Sequence, residues 1–392
     1  MATTFKTVLN DDKTTTRTLL HEAIPITGSI LSGTYPEPGS AGSSIKQYSH
    51  GMFQSVHDYP FLSSSANHIF DMTCGFHADS SIYTDAVASG STEHNKKNNI
   101  YNQMAQTLMG YDATGSILKF DIDGNIAAGG AKYTDVFFVN FARLLAKDEI
   151  KKGSFEIQIG VSGAFMTGQS AGDGSVFAKS LTIKDDGAAT SYFVNSPAGE
   201  YGILKVTNDD THGVGSGGGP GFIEDAAAYS SSVGLLFYQA GIAVLTKDIF
   251  TVFSAGNQSG RISSGSAESS MSMTRVGEQS MNTLLHAGSI NAINNAFRHR
   301  IKKISFNNTT ELNSTIYFCR VNANEFNYSS NPTYLSSSQL RVKRTSTDAP
   351  VSYFTTVGLY SADNELLAVA KLSEPMRKDP TTDVTVRVRL DY

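Results

Sequence analysis

The most constraining feature of this chain is a period of two near its end. In "VSYFTTVGLYSADNELLAVAKLSEPMRKDPTTDVTVRVRLDY", Thr355, Val357 and Leu359 alternate with Thr356, Gly358 and Tyr360. "SADNE" then supplies turn chemistry and "LLAVAKLS" returns as an apolar run, which predicts a hairpin. Pro375 and Pro380 bracket a charged loop, after which Val384, Val386, Val388 and Leu390 alternate with Thr385, Arg387, Arg389 and Asp391. That pattern predicts a half-buried strand closing the chain. Strand signals recur upstream in "SFEIQIGVSG", "TSYFVN" and "YGILKVT". "SVGLLFYQAGIAVLTKDIF" reads as a hairpin turning at Gln239-Ala240-Gly241, and "IKKISFNNTTELNSTIYFCRVNANEFNYSS" as two or three further strands.

Helical spacing is confined to a few places. In "KKNNIYNQMAQTLMGYD", Ile100, Met104, Leu108 and Met109 share a stripe. In "TDVFFVNFARLLAKDEIKKG", Val136, Phe137, Phe141, Leu144 and Leu145 form a wide apolar face, with Thr134 or Asp135 to cap it and Gly153 to end it. "GEQSMNTLLHAGSINAINNAFRHRI" is a third candidate, interrupted by Gly288 and several Asn. The expected fold class is therefore mainly β: an antiparallel β-sandwich-like body with two or three peripheral helices, long loops and an extended N-terminal arm. Residues 1–60, interrupted by Pro25, Pro36, Pro38 and Pro60, read as that arm, packing on the body or on a neighbouring subunit. Residues 61–392 read as a single β-rich domain with loop insertions near 78–95, 164–180, 207–232 and 254–280.

Composition narrows the function classes. With 40% hydrophobic residues in 392, the chain can bury a core. A net charge of −5 without a basic run argues against nucleic acid as a partner, since phosphate recognition gathers Lys and Arg on one face. The Thr-rich start has no apolar segment of signal-peptide or membrane-span character, so synthesis in the cytoplasm and no membrane partner are expected. Cys74 and Cys319 stand far apart in apolar contexts and read as small buried hydrophobes. Only 17% of residues are charged, against 35 Gly, 17 Tyr and 22 Phe, a balance that suits a β protein with hydroxyl-rich surface loops.

Each motif that imitates a chemical site has a structural reading that suits it better. "GVGSGGGPG" at 213–221 matches G-x-G-x-x-G, but Pro220 and Gly221 prevent the tight strand-to-helix turn a dinucleotide needs. "DIDGN" at 121–125 opens like a calcium loop, yet Ile126 stands where Gly is needed and Lys132 where a bidentate Glu is needed, leaving a turn between strands. His50 and His57 could share a face with Asp58 but lack metal-ligand spacing. The pairs Asp185-Asp186 and Asp209-Asp210 read as turns, because strand neighbours point to opposite faces. No Ser sits in a nucleophile elbow. No cofactor, no metal and no catalytic activity are expected.

Several segments, in order along the chain, are similar to virion structural proteins of marine tailed bacteriophages of the cyanophage type. They are "LNDDKTTTRTLLHEAIPITGSI", "YSHGMFQSVHDYPFLSSSANHIFD", "DEIKKGSFEIQIG", "VGLLFYQAGIAVLT", "SFNNTTELNSTIYFCRVNANEFNYSSNPTYL" and "VSYFTTVGLYSADNELLAVAKLSEPMRKDP". The resemblance implies a building block of the tail, neck or baseplate, located in the virion, whose partners are other virion proteins and copies of itself in a symmetric oligomer or ring. The alternative is an exposed receptor-binding or head-decoration protein. The family has no functional residues to carry over. From the strand pattern, Tyr59, Phe61, Phe326, Tyr328, Leu359, Leu367, Val386 and Val388 are the expected subunit-interface residues.

Overall fold

The computed structural model describes residues 5–27, 42–80, 92–126, 129–161, 179–207, 232–250, 288–328 and 347–392, with a few single positions between them. The expected loops near 164–180, 207–232 and 254–280 fall almost wholly outside the described residues, as does 213–221. The chain divides into two compact units, a body of residues 21–310 and a split unit of residues 1–20 with 311–392. This division does not follow the 1–60 and 61–392 boundary read from the sequence.

In chain order the strands begin with β1 (Lys13–Thr27), β2 (Ile45–Gln47), β3 (Gln54–His57), β4 (His68–Phe76), β5 (Phe120–Asp121), β6 (Lys132–Tyr133) and β7 (Asp135–Phe141). Next come β8 (Glu149–Ile150), β9 (Glu156–Val161), β10 (Lys179–Lys184), β11 (Phe193–Ser196), β12 (Gly199–Thr207), β13 (Ser232–Phe237) and β14 (Ile242–Thr246). The series ends with β15 (Ile301–Val321), β16 (Leu335–Ser336), β17 (Gln339–Leu340), β18 (Ser352–Tyr360), β19 (Leu366–Lys378) and β20 (Val384–Asp391). The protein is mainly β, as the alternation predicts, and fourteen of these strands belong to one antiparallel sheet.

Three expectations need correction. The 1–60 segment is not free of regular elements: it supplies β1, β2 and β3. Its β-branched run "KTTTRT" favours the pleat, and Pro25 is tolerated because β1 lies at the end of the sheet. The stretch 134–153 is not a long helix but β7, followed by a single helical turn, Arg143–Ala146. β7 runs between β14 and β4 and is buried on both faces, so its apolar run is continuous and imitates a wide helical stripe. Finally, 301–321 is one strand of 21 residues. Its "NN" does not turn, because the Asn308 side chain is engaged by neighbours, accepting from Glu22 N (3.1 Å) and donating to Leu145 O (2.9 Å).

In the body, the sheet runs β9-β10-β12-β13-β14-β7-β4-β3-β2. It folds back on itself: Phe141 of β7 meets Phe306 of β15 at 4.9 Å and Phe155 at 5.9 Å, which gives the sandwich-like core. The helix Thr92–Leu108 lays His94, Lys97, Tyr101, Ala105 and Leu108 against β4 at spacings of three and four. It can approach only because position 75 is glycine. A Cβ there would lie 2.7 Å from Lys97 O and 2.8 Å from Tyr101 N. The helix Ile290–Arg300 starts at Ser289, whose Oγ accepts from Ala292 N, and places Phe297 flat on Phe137 at 4.5 Å.

One buried carboxylate joins three elements of the body. Asp185, at the end of β10, accepts from Gly153 N (2.6 Å), Phe155 N (3.0 Å) and Tyr238 OH (3.2 Å). Burial outweighs these donors and pushes its carboxyl up to about 6. The folded state therefore holds this proton to higher pH than the unfolded chain, and the resulting stabilisation is present below about pH 4 and lost as pH rises through about 6. Wild-type protein should show this loss, up to about 3 kcal/mol, in urea midpoints taken between pH 4 and 7. Asp185→Asn should lack that component, and parallel pH profiles for the two proteins would refute the assignment.

Candidate assembly surface

The split unit is built from strands that carry their own charge balance. β20 pairs with β15 over eight residues, from Ser314↔Asp391 to Val321↔Val384. Opposed residues share a face, so Val384, Val386 and Val388 line up with Val321, Cys319 and Tyr317, while Arg387 and Arg389 stand on the other face. Arg389 Nε binds Asp391 at 2.7 Å and its Nη2 reaches Ser314 Oγ at 3.0 Å. Arg320 binds Asp12, Arg17 binds Glu311, and Lys6 binds Glu325.

β18 and β19 form a separate two-stranded sheet. Its base is fixed: Lys378, fully buried, donates to Ala323 O (3.0 Å), Asn327 Oδ1 (2.9 Å) and Asp379 O (2.7 Å). Ser352 Oγ donates to Phe326 O at 2.5 Å. Phe326 itself sits at φ 55°, a left-handed conformation that costs an ordinary residue about 1–2 kcal/mol. Pro375 falls in an irregularity where the register slips between Phe354 and Thr356, so its missing N–H breaks no regular ladder bond. A second slip, at Leu359 and Tyr360, leaves Leu367 as the extra residue.

The two faces of this hairpin follow from the register. Val357 with Ala370, and Leu359 with Ala368, share one face and are half-buried. Gly358 with Val369, and Tyr360 with Leu366, share the other. There the Tyr360 ring covers the glycine, where a Cβ would lie 2.9 Å from the ring, and Phe5 meets it edge-on at 4.9 Å. Even so, Tyr360 is 43% exposed, Val369 50%, Leu366 53% and Leu367 62%.

Burial is divided very unevenly between the units. Among the described residues, the split unit's only buried apolar side chains are Val384 and Val386; the rest of the hydrophobic core belongs to the body. Conversely, the exposed large apolar side chains of the body are Tyr59, Leu62, Tyr111, Leu144, Tyr192 and Val194, and all others on the described chain lie in the split unit.

The expected interface residues distribute accordingly. Leu359 and Leu367 lie on the hairpin, and Phe326 and Tyr328 are exposed near its base. Val386 is corrected: at 8% exposure it is already buried in the chain, on the face of β20 that half-buried Val388 shares. Tyr59 and Phe61 belong to the body, where Tyr59 is exposed and Phe61 is half-buried beside His57. Sequence reading did not single out Tyr360, Leu366, Val369 and Met376, which are exposed as well. The signal was present, since both parities of "LLAVAKL" carry large apolar residues, which a strand covered on one face does not need.

The sites that imitate catalysis resolve into structure. "DIDGN" is the turn of the β5–β6 hairpin, in which Asp121 accepts from Ile126 N (2.7 Å) and pairs with Lys132 (3.0 Å). His57 does not join Asp58; it lies opposite His68, with ring centroids 5.5 Å apart, and His68 binds Asp71 at 2.9 Å. Asp185 is the buried connector described above, while Asp186 is exposed, and Asp209-Asp210 lies outside the described residues. Burial pushes the Cys74 thiol up to about 12, so it is no thiolate at neutral pH. Among the described residues, no group of three His, Cys, Asp or Glu side chains could hold a metal ion. No protein-family model, curated protein or solved structure matches the chain.

Proposed function

We propose that this chain is a non-enzymatic structural subunit of a tailed-bacteriophage virion, an assembly piece of the tail, neck or baseplate that binds other virion proteins and copies of itself. The observation that carries the reading is the split unit: strands with, among the described residues, almost no core of their own and a concentration of exposed apolar side chains. A two-stranded hairpin is marginal in water by itself, and ordering a residue's backbone costs about 1–2 kcal/mol that only burial returns. A surface from another chain supplies that burial. The ordered resemblance to virion structural proteins names the kind of assembly, and the Thr-rich, low-charge composition suits a particle component.

Cryo-electron microscopy of the virion tests this. Density for residues 352–378 enclosed between neighbouring subunits is the expected result. The same hairpin projecting into solvent from the outer surface would shift the assignment to receptor binding or decoration, and a particle lacking the protein would overturn it.

A further inference from the structure

We infer that His94 and His286 form an acid-release latch in the body: as neutral rings they hold the approach to the helix Ile290–Arg300 against the helix Thr92–Leu108, and a proton on His94 opens that contact. The latch stands apart from the assembly reading, since both rings belong to the body and neither to the split unit.

The two rings meet edge to face with centroids 6.2 Å apart, and both are buried, His94 at 1% exposure and His286 at 7%. Phe76 of β4 stands edge-on to His94 at 4.8 Å, and Tyr83 lies against it at the same distance. Such a box of rings accepts a neutral imidazole, whereas an imidazolium must first shed its water. His286 Nε2 is buried without a hydrogen-bond partner, so a proton placed on it would meet no acceptor.

The local charges oppose protonation as well. His94 is the third residue of its helix, where the positive end of the helix dipole disfavours a cation. Lys97, three residues on and therefore on the same face, is already a buried ammonium, donating to Leu285 O, His286 O and Gly288 O. Burial, then His286, then Lys97 hold the His94 ring below the ordinary imidazole range, outweighing a hydrogen bond with the Tyr83 backbone. Among the described residues around this contact, the carboxylates are engaged: Glu93 by Lys96 (2.8 Å) and Ile290 N (3.4 Å), and Asp79 by Lys119 and His77. Cys74 of β4 is a neutral thiol, and Arg298 and Arg300 of the second helix donate to Asn295 Oδ1 and Gly160 O. A proton on His94 thus sets a second cation beside Lys97 with no counter-ion to meet it. Because His94 and Lys97 grip the same residue, displacing His286 also loosens the start of the second helix.

The sign follows from the lowered value in the folded state. The contact is at full strength above about pH 6.5 and weakens as pH falls through the lowered folded value, by at most about tenfold per pH unit for one proton.

Amide exchange of the full chain at about pH 7.5 and about pH 5, corrected for intrinsic rates, tests the latch. Protection of residues 290–300 is expected to fall about tenfold in acid while β13 and β14 keep theirs. His94→Gln, neutral at both pH values, should show no such fall. Both proteins carry Asp185, so its opposite pH dependence cancels in the comparison. An equal fall in the variant, or none in the wild type, overturns the latch. Should His94→Gln fail to fold, residue-resolved C2-hydrogen exchange of the wild-type histidines decides. A midpoint for His94 below about 6.5 is expected, and one at or above that value overturns the proposal.

Discussion

Removing residues 381–392 is expected to give a chain whose body folds and whose split unit does not. The deletion takes away β20, which pairs with β15 over eight residues, Ser314–Val321, and carries the two apolar side chains that are buried among the unit's described residues, Val384 and Val386. Each valine contributes about 1.5–3 kcal/mol when buried, and the ladder bonds add about 0.5–1.5 kcal/mol apiece. A unit with so little core has nothing to offset that loss. Amides of residues 312–321 and 352–378 should then exchange at the rates of an unfolded chain while β7, β13 and β14 stay protected, and particles assembled with the truncated protein should lack it. Wild-type protection in both 312–321 and 352–378 after truncation would show that β15 and β18–β19 keep their order without β20, and would overturn this expectation.

The second large effect is expected at Lys97. Its side chain is fully buried in the helix Thr92–Leu108, and its ammonium donates to Leu285 O (2.6 Å), His286 O (3.3 Å) and Gly288 O (2.6 Å). Burial pulls its pKa below the ordinary lysine value, so the fold bears a real desolvation cost to keep a cation there. The return is structural. These carbonyls lie immediately before Ser289, the cap of the helix Ile290–Arg300, and Glu93 of the same first helix accepts from Ile290 N at 3.4 Å. One lysine and one glutamate thus set where the second helix begins. Lys97→Met keeps the volume and removes the donors. Stranding buried carbonyls costs about 1–3 kcal/mol each, partly returned by relief of the buried charge. A net loss of about 2–4 kcal/mol is expected in urea unfolding, with faster exchange across 290–300. An unchanged midpoint would mean that the carbonyls find other donors.

How much of this was legible in the sequence depended on whether one element alone decided the matter. The Gln239–Gly241 turn, the strands at 156–161 and 199–207 and the terminal hairpin were readable because local alternation and turn chemistry agree with the final packing. The segment 135–141 was misread because burial on both faces erases the period of two, and only its neighbours β14 and β4 reveal that it is a central strand. The 301–330 stretch reads as two or three strands, whereas β15 runs unbroken to Val321, with Asn308 held in place by Glu22 and Leu145.

The expected interface residues divide in the same way. On the hairpin Leu367 is exposed and Leu359 half-buried, whereas Val386 is buried, because nothing in a lone strand says which face looks inward. The sequence by itself determined the class of fold, the terminal hairpin and last strand, and the lack of a recognisable catalytic or metal motif, since each is written in spacings of a few residues. Only the tertiary structure decided that residues 1–20 and the last 82 residues cluster as one unit and residues 21–310 as another, and that the described residues of the first contribute almost nothing to the buried core. The physical reason is that burial belongs to pairs of surfaces brought together from distant parts of the chain, and no local pattern records which surface a strand will meet.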